Sequence, residues 1–66
     1  MRKCYVYLKS KFDPILVIGY IGHKIRKNGF SIFYGQNYEY QIWTKDIEYF
    51  KIESAINERL KVVDVG

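Results

Sequence analysis

Cysteine, proline, histidine and alanine each occur only once in this chain of 66 residues. The single cysteine, Cys4, cannot form an internal disulfide, so a disulfide-stapled secreted scaffold is excluded and a cytoplasmic location is expected. One cysteine and one histidine cannot build a zinc site without suitably spaced carboxylates, and none appear. The single alanine argues against a helical bundle, because alanine is the strongest helix former.

No hydrophobic run is long enough to cross a membrane. The longest one, from Ile15 to Gly22, is far below the roughly 20 residues that a membrane-spanning helix needs. The basic start at Met1-Arg2-Lys3 is typical of a secretory signal, but the polar residues 9–11 interrupt the apolar region that should follow it. We therefore expect a soluble protein with no membrane partner.

Acidic side chains are fewer than basic ones, with seven against eleven and a formal net charge of +4. This balance favours an anionic partner such as nucleic acid. Lysine outnumbers arginine eight to three. Because bidentate recognition of bases favours arginine, we expect attraction to the phosphate backbone rather than sequence-specific binding.

Groups able to perform catalysis are also scarce. Cys4 alternates with apolar residues, so we expect a buried and inert thiol. His23 has no Cys, Asp or Glu near it in the sequence, which favours a structural role. Gly19 and Gly22 lie inside a predicted strand and match neither a phosphate-binding loop nor a dinucleotide fingerprint. We predict a protein that is not an enzyme and that has no cofactor or metal.

What the sequence does contain is β-forming residues, namely seven Tyr, four Phe, one Trp and nine Ile. Alternating apolar residues and turn signals predict five strands. They are Lys3–Lys9, a strand bent at its glycines from Ile15 to Lys27, Phe30–Tyr34, Tyr38–Thr44 and Ile47–Ile52. The tail leaves two alternatives. Either Ser54 caps a helical turn to about Leu60 before an extended Val62–Val65, or Leu60–Val65 forms an extra strand.

The turn at Asn28-Gly29 predicts a register for the central hairpin. Asn-Gly is the preferred dipeptide of a two-residue type I′ turn, which would pair Lys24 with Phe33. Phe33 would then point outward beside Lys24 and Arg26. The predicted core face of this hairpin comprises His23, Ile25, Phe30, Ile32 and Tyr34.

The predicted order of elements resembles a small five-stranded SH3-like, or Sm-like, barrel formed by a single domain over residues 1–66. The segment from Phe30 to Ile52 in particular looks like the last three strands of such barrels. Bacterial Sm-like RNA chaperones carry a Tyr-Lys-His signature before their last strand. The corresponding stretch here reads Trp43-Thr44-Lys45, so the resemblance implies a fold and carries over no site.

Aromatic residues alternate with basic ones on the predicted outward faces, which is typical of small barrels that bind single-stranded nucleic acid. The predicted surface comprises Tyr5, Tyr7, Lys24, Arg26, Lys27, Phe33 and Trp43. Outward tyrosines are also ordinary strand formers, and charged hairpin tips often serve only to keep an edge solvated. The alternative function is a protein-interaction module, such as a small phage-type accessory protein or inhibitor that docks on a larger host protein. A homodimer would cover the same aromatics.

Overall fold

The computed structural model describes residues 2–53 in full and the backbone of residues 60–64. The strands are β1 Lys3–Leu8, β2 Ile15–Ile18, β3 Gly22–Lys24, β4 Phe30–Tyr34, β5 Glu39–Trp43, β6 Ile47–Glu53 and β7 Leu60–Asp64. A single 3₁₀ turn, Thr44–Asp46, joins β5 to β6. The helical turn predicted to begin at Ser54 falls on residues 54–59, outside the described part. The alternative of an extra strand near Leu60 is confirmed by β7.

The strands form two antiparallel sheets, and the prediction of a mostly β protein is confirmed. One sheet has the order β2-β1-β6-β7 and the other the order β3-β4-β5. Within the described residues these are two separate sheets and not a closed barrel. Because the long second strand divides into β2 and β3, it contributes to both sheets.

The core lies between the inner faces of the two sheets. Phe50 of the first sheet meets Phe33 of the second edge-to-face, with ring centroids 5.0 Å apart. Both side chains are completely buried. The other buried apolar residues are Cys4, Val6, Val17, Tyr20, Ile42 and Ile47. Alternation in β1 predicted the burial of Cys4 and Val6, and the predicted inward Ile42 and partly outward Trp43 are confirmed as well.

The chain passes from one sheet to the other at Gly19, where the predicted bend is confirmed. Gly19 has φ +67°, a conformation that side chains with a Cβ rarely adopt. On either side of the crossing, the backbone N–H of Tyr20 donates to the carbonyl of Arg2, and that of Ile21 donates to the carbonyl of Tyr34, both at 2.9 Å. The bend therefore attaches β2 to one sheet and β3 to the other.

Gly19→Ala should destabilise the fold more than any other glycine-to-alanine change in the strands. The new Cβ would lie 2.6 Å from the Cβ of Gln36, and the positive φ alone costs about 1–2 kcal/mol. Gly22→Ala is the matched control, because no atom lies within 4 Å of its added Cβ. We expect urea unfolding to show a clear loss of stability for the first variant and almost none for the second. Equal losses would contradict the assigned role of the bend.

The predicted register of the central hairpin is wrong by one residue. Lys24 lies opposite Ile32, and His23 lies opposite Phe33. A two-residue turn would have required Lys24 to pair with Phe33. The strands are joined by the five residues 25–29 instead of by a two-residue turn, and Gly29 is held at φ +91°. Since side chains alternate along a strand, an offset of one residue exchanges the two faces of β4 relative to β3.

The exchange of faces corrects the predicted position of Phe33, which is completely buried instead of outward. The predicted core residues Ile25, Phe30 and Tyr34 are instead exposed, by 38%, 41% and 37%. The physical reason is that alternation in β4 favours the register that is not adopted, because Phe30, Ile32 and Tyr34 share one face whereas Phe33 shares the other with the polar Ser31. The ring of Phe33 fills the space opposite Phe50 between the sheets, which decides the register.

Candidate functional site

The seven residues predicted to form one surface are distributed over three places. Tyr5 and Tyr7 lie on β1 in the first sheet. Phe33 is in the core and is removed from the candidate surface. The other four lie on the three-stranded sheet or its hairpin loop, and each is exposed: Lys24, Arg26, Lys27 and Trp43. The predicted surface is therefore two surfaces, one on each sheet, and the core lies between them.

The outer face of the three-stranded sheet carries an exposed pair of aromatic rings, Phe30 and Trp43, which we call the aromatic platform. The two residues are cross-strand partners in β4 and β5, and their ring centroids are 4.2 Å apart with an interplanar angle of 36°. Phe30 is 41% exposed and Trp43 is 47% exposed. The sequence prediction missed Phe30, because the wrong register placed it in the core.

Basic side chains surround the aromatic platform. The Lys45 ammonium lies 5.6 Å from the centroid of the Trp43 ring, within cation–π range. Lys24 pairs with Ile32, which is two residues from Phe30 and so shares its face. Arg26 and Lys27 are exposed in the loop that leads into Phe30. The nearest acidic groups in the chain are Glu39, at the far end of β5, and Asp46 in the 3₁₀ turn.

Hydrogen bonds hold the hairpin loop against the 3₁₀ turn. Ser31, the only buried polar residue in the described chain, shares a hydrogen bond of 2.5 Å between its Oγ and the Oγ1 of Thr44. The backbone N–H of Arg26 donates to the Ser31 Oγ at 3.3 Å, and that of Thr44 donates to the Gly29 carbonyl at 3.0 Å. The loop and the turn that carry the basic side chains are thus fixed relative to the platform. A serine inside an otherwise apolar strand was the sequence signal for this network.

The first sheet has a different aromatic cluster on its outer face. The rings of Tyr7 and Tyr49 stack with centroids 4.7 Å apart, and the Lys51 ammonium lies 5.3 and 5.8 Å from the two centroids. Tyr5, Tyr7, Lys51 and Glu53 line a shallow depression of about 170 Å³. All of these side chains are half-buried. Because the tyrosines already stack on one another and contact Lys51, their faces are less available to a partner than those of the platform.

The two side chains that could be reactive, Cys4 and His23, both lie against residues of the core. Cys4 is completely buried, and burial raises the pKa of its thiol to about 12. The His23 Nδ1 is hydrogen-bonded to the Tyr20 hydroxyl, and its ring meets Phe50 edge-on with centroids 4.8 Å apart. Both residues contribute to the packing around the core.

Native Cys4 should resist alkylation. A thiol with a pKa of about 12 is almost entirely protonated at pH 8, so its thiolate fraction is roughly 1,000-fold below that of an ordinary cysteine. We expect iodoacetamide to modify the folded protein at least that much more slowly than the protein in denaturant. The shift also makes folding less favourable as pH rises from about 9 towards 12. Equal rates in the folded and unfolded protein would show that the thiol is accessible.

Two further properties of the described residues bear on the class of function. They contain no group of three or more His, Cys, Asp or Glu side chains placed to hold a metal ion. No helix among them has the length and apolar character needed to span a membrane.

No family model, curated protein or solved structure matches this chain.

Proposed function

We propose that this chain is a non-enzymatic binding module that holds single-stranded nucleic acid on the outer face of the β3–β4–β5 sheet, in the cytoplasm. The observation that carries the proposal is the aromatic platform of Phe30 and Trp43 with Lys45 beside it. Unpaired bases stack on exposed aromatic rings, with a contribution of about 1–3 kcal/mol per base. Lysine and arginine beside the rings attract the phosphates.

Exposure, charge and rigidity together favour binding over an ordinary solvated surface. Single exposed aromatics are common, whereas here two exposed rings are adjacent and four cations lie on the same strands and loops. The cations are Lys24, Arg26, Lys27 and Lys45. The hydrogen bonds of Ser31 and Thr44 hold this arrangement in place before any ligand binds, which lowers the entropy that binding must overcome.

We also propose that the two sheets belong to a small barrel of the SH3-like, or Sm-like, type. Three features support this. The bent segment β2–β3 serves both sheets, a 3₁₀ turn precedes β6, and β6 pairs with β1. Barrels of this shape present one strand face to ligands, and the aromatic platform occupies such a face. The shape by itself does not select a ligand, so the proposal depends on the platform.

The test is a fluorescence polarisation titration with labelled single-stranded DNA, double-stranded DNA and RNA at several salt concentrations. Four phosphate contacts predict that the logarithm of the affinity for a single strand falls with the logarithm of the salt concentration with a slope of about −3. Trp43 is the only tryptophan in the chain, so base stacking on the platform should also quench its emission. We expect single strands to bind more tightly than duplexes, because stacking needs unpaired bases.

An absence of binding to all three nucleic acids at low salt would overturn the proposal. Binding that does not change with salt would overturn it as well, because the phosphate contacts would then be missing. In either case the exposed rings would point to the protein-interaction alternative, with Phe30 and Trp43 as anchors on a larger partner or on a second copy. Size-exclusion chromatography with light scattering would identify the second copy.

A further inference from the structure

Phe12 is the most exposed large apolar side chain in the described part of the chain, at 99%. It lies in the loop between β1 and β2, which contributes nothing to the aromatic platform. A ring so exposed gains almost no stability from the fold, because no neighbouring atoms remove it from water. Lys9 and Lys11 precede it in the same loop, so this ring too is next to basic side chains.

The backbone of this loop is held in place. The N–H of Lys11 donates to the carbonyl of Leu8 at 3.3 Å, which closes a turn at the end of β1. The N–H of Lys9 donates to the carbonyl of Asp46 at 2.9 Å. This second bond ties the loop to the 3₁₀ turn that follows Trp43. The 3₁₀ turn therefore connects the Phe12 loop to the end of β5 that carries Trp43.

The chain geometry limits the distance between the two sites. Phe12 is three residues from Lys9, and Trp43 is three residues from Asp46. Even if both segments were fully extended, the backbones of the two aromatic residues would be no more than roughly 25 Å apart. At a spacing of about 3.4 Å per stacked nucleotide, about seven nucleotides cover that distance.

The surface beside Phe12 is concave and contains charges of both signs. A depression of about 250 Å³ is lined by Lys9, Ser10, Lys11 and Phe12. Asp13 follows Lys11 in the same loop, and the backbone carbonyl of Asp46 accepts the hydrogen bond from Lys9, so carboxylates as well as ammonium groups belong to these segments. Stacking on the ring, more than attraction of phosphates, would thus supply the affinity at this place.

We propose that Phe12 is a second stacking site for the same nucleic-acid strand that binds the aromatic platform, which rests on the proposed function. A strand of about seven nucleotides is long enough to reach both rings at any separation within that limit, and a strand too short to span them binds at the platform only. The ligand is therefore an extended single strand, and affinity rises in a step with its length. At Phe12 the exposed ring stacks on an unpaired base.

The test compares wild type with Phe12→Ala on oligothymidylate strands of about three and about ten nucleotides. Phe12→Ala should bind the longer strand about 5- to 100-fold more weakly, with unchanged binding of the short strand and unchanged quenching of Trp43. Phe12→Tyr should restore the affinity for the longer strand because it keeps the ring. Ile21→Ala, at an apolar residue that is 67% exposed outside the loop, is the matched control and should bind like wild type.

A direct readout places the only tryptophan in the loop, using Phe12→Trp together with Trp43→Phe. We expect the longer strand, but not the short one, to quench this emission. Wild-type binding of both strands combined with unaltered binding by Phe12→Ala would overturn the second site and leave the ring to a protein partner. Equal weakening on both strands would overturn it as well, since Phe12 would then belong to a single site. A wild type that binds neither strand would overturn the proposed function itself.

Discussion

Phe33→Ala should remove a large part of this protein's stability. The side chain is completely buried and meets Phe50 edge-to-face at the centre of the core. Truncation of a buried phenylalanine costs about 3–5 kcal/mol. A domain of 66 residues has a total stability of roughly 3–10 kcal/mol. The expected loss is therefore between about a third of the free energy of unfolding and all of it, which urea denaturation followed by circular dichroism would measure.

Two other phenylalanines provide controls of the same chemistry at different burial. Phe30 is 41% exposed and Phe12 is 99% exposed. Phe30→Ala should cost much less than Phe33→Ala, and Phe12→Ala should cost almost nothing, because the loss scales with the apolar surface removed from water. The observed register predicts that the loss of stability decreases from Phe33→Ala through Phe30→Ala to Phe12→Ala. A larger loss for Phe30 than for Phe33 would instead support the two-residue turn that was inferred from Asn28-Gly29.

The double charge reversal Lys24→Glu with Arg26→Glu should weaken binding of a single strand about 100- to 1,000-fold at low salt. It removes two cations beside the aromatic platform and places two carboxylates there, at about 1 kcal/mol for each unit of charge in contact with phosphate. The affinity of this double variant should also depend less steeply on the salt concentration. Both side chains are exposed, so the fold should tolerate the change, and urea unfolding would verify that.

The matched control changes the net charge by the same amount on the opposite sheet, with Lys3→Glu and Lys51→Glu. These residues lie on β1 and β6, away from the platform. With both double variants compared at about 0.1 M salt, where charges are screened within about 10 Å, we expect the control to weaken binding several-fold at most. Equal losses in the two double variants would show that net charge, not the proposed surface, controls binding. Trp43→Ala should lower affinity while the salt slope stays unchanged, which separates stacking from charge.

Several features of the fold were predictable from local patterns. In β1 the alternation of residues is unambiguous, and Cys4 and Val6 are buried as expected. Gly19 marked the bend because a glycine inside an apolar strand signals a close approach or an unusual backbone. The prediction that Trp43 is at least partly outward also rested on alternation, and it is confirmed. Such features depend on neighbours in sequence, which the sequence displays directly.

The composition of the candidate site was only partly predictable. Trp43 and the basic residues at positions 24, 26 and 27 were identified from their types and spacing, and all four are exposed near one face. Phe30 was missed and Phe33 was wrongly included, because both follow from the register of one hairpin. Lys45 was missed because its position over the Trp43 ring depends on the 3₁₀ turn. The predicted strands left Lys45-Asp46 as the turn between them, but nothing in that dipeptide specified a 3₁₀ conformation.

The sequence by itself determined that this chain is mostly β, that it bends at Gly19 and that its aromatics outnumber what a small core can hold. Only the tertiary structure decided which aromatic residues are buried in the core and which remain on the surface. The face of β4 with Phe30, Ile32 and Tyr34 is the more apolar one, so the local pattern alone places Phe33 and Ser31 outside the core. The choice comes from Phe50 on the other sheet, which leaves a space that Phe33 fills. Burial of one ring at the core then places Phe30 beside Trp43 on the surface, where the aromatic platform forms.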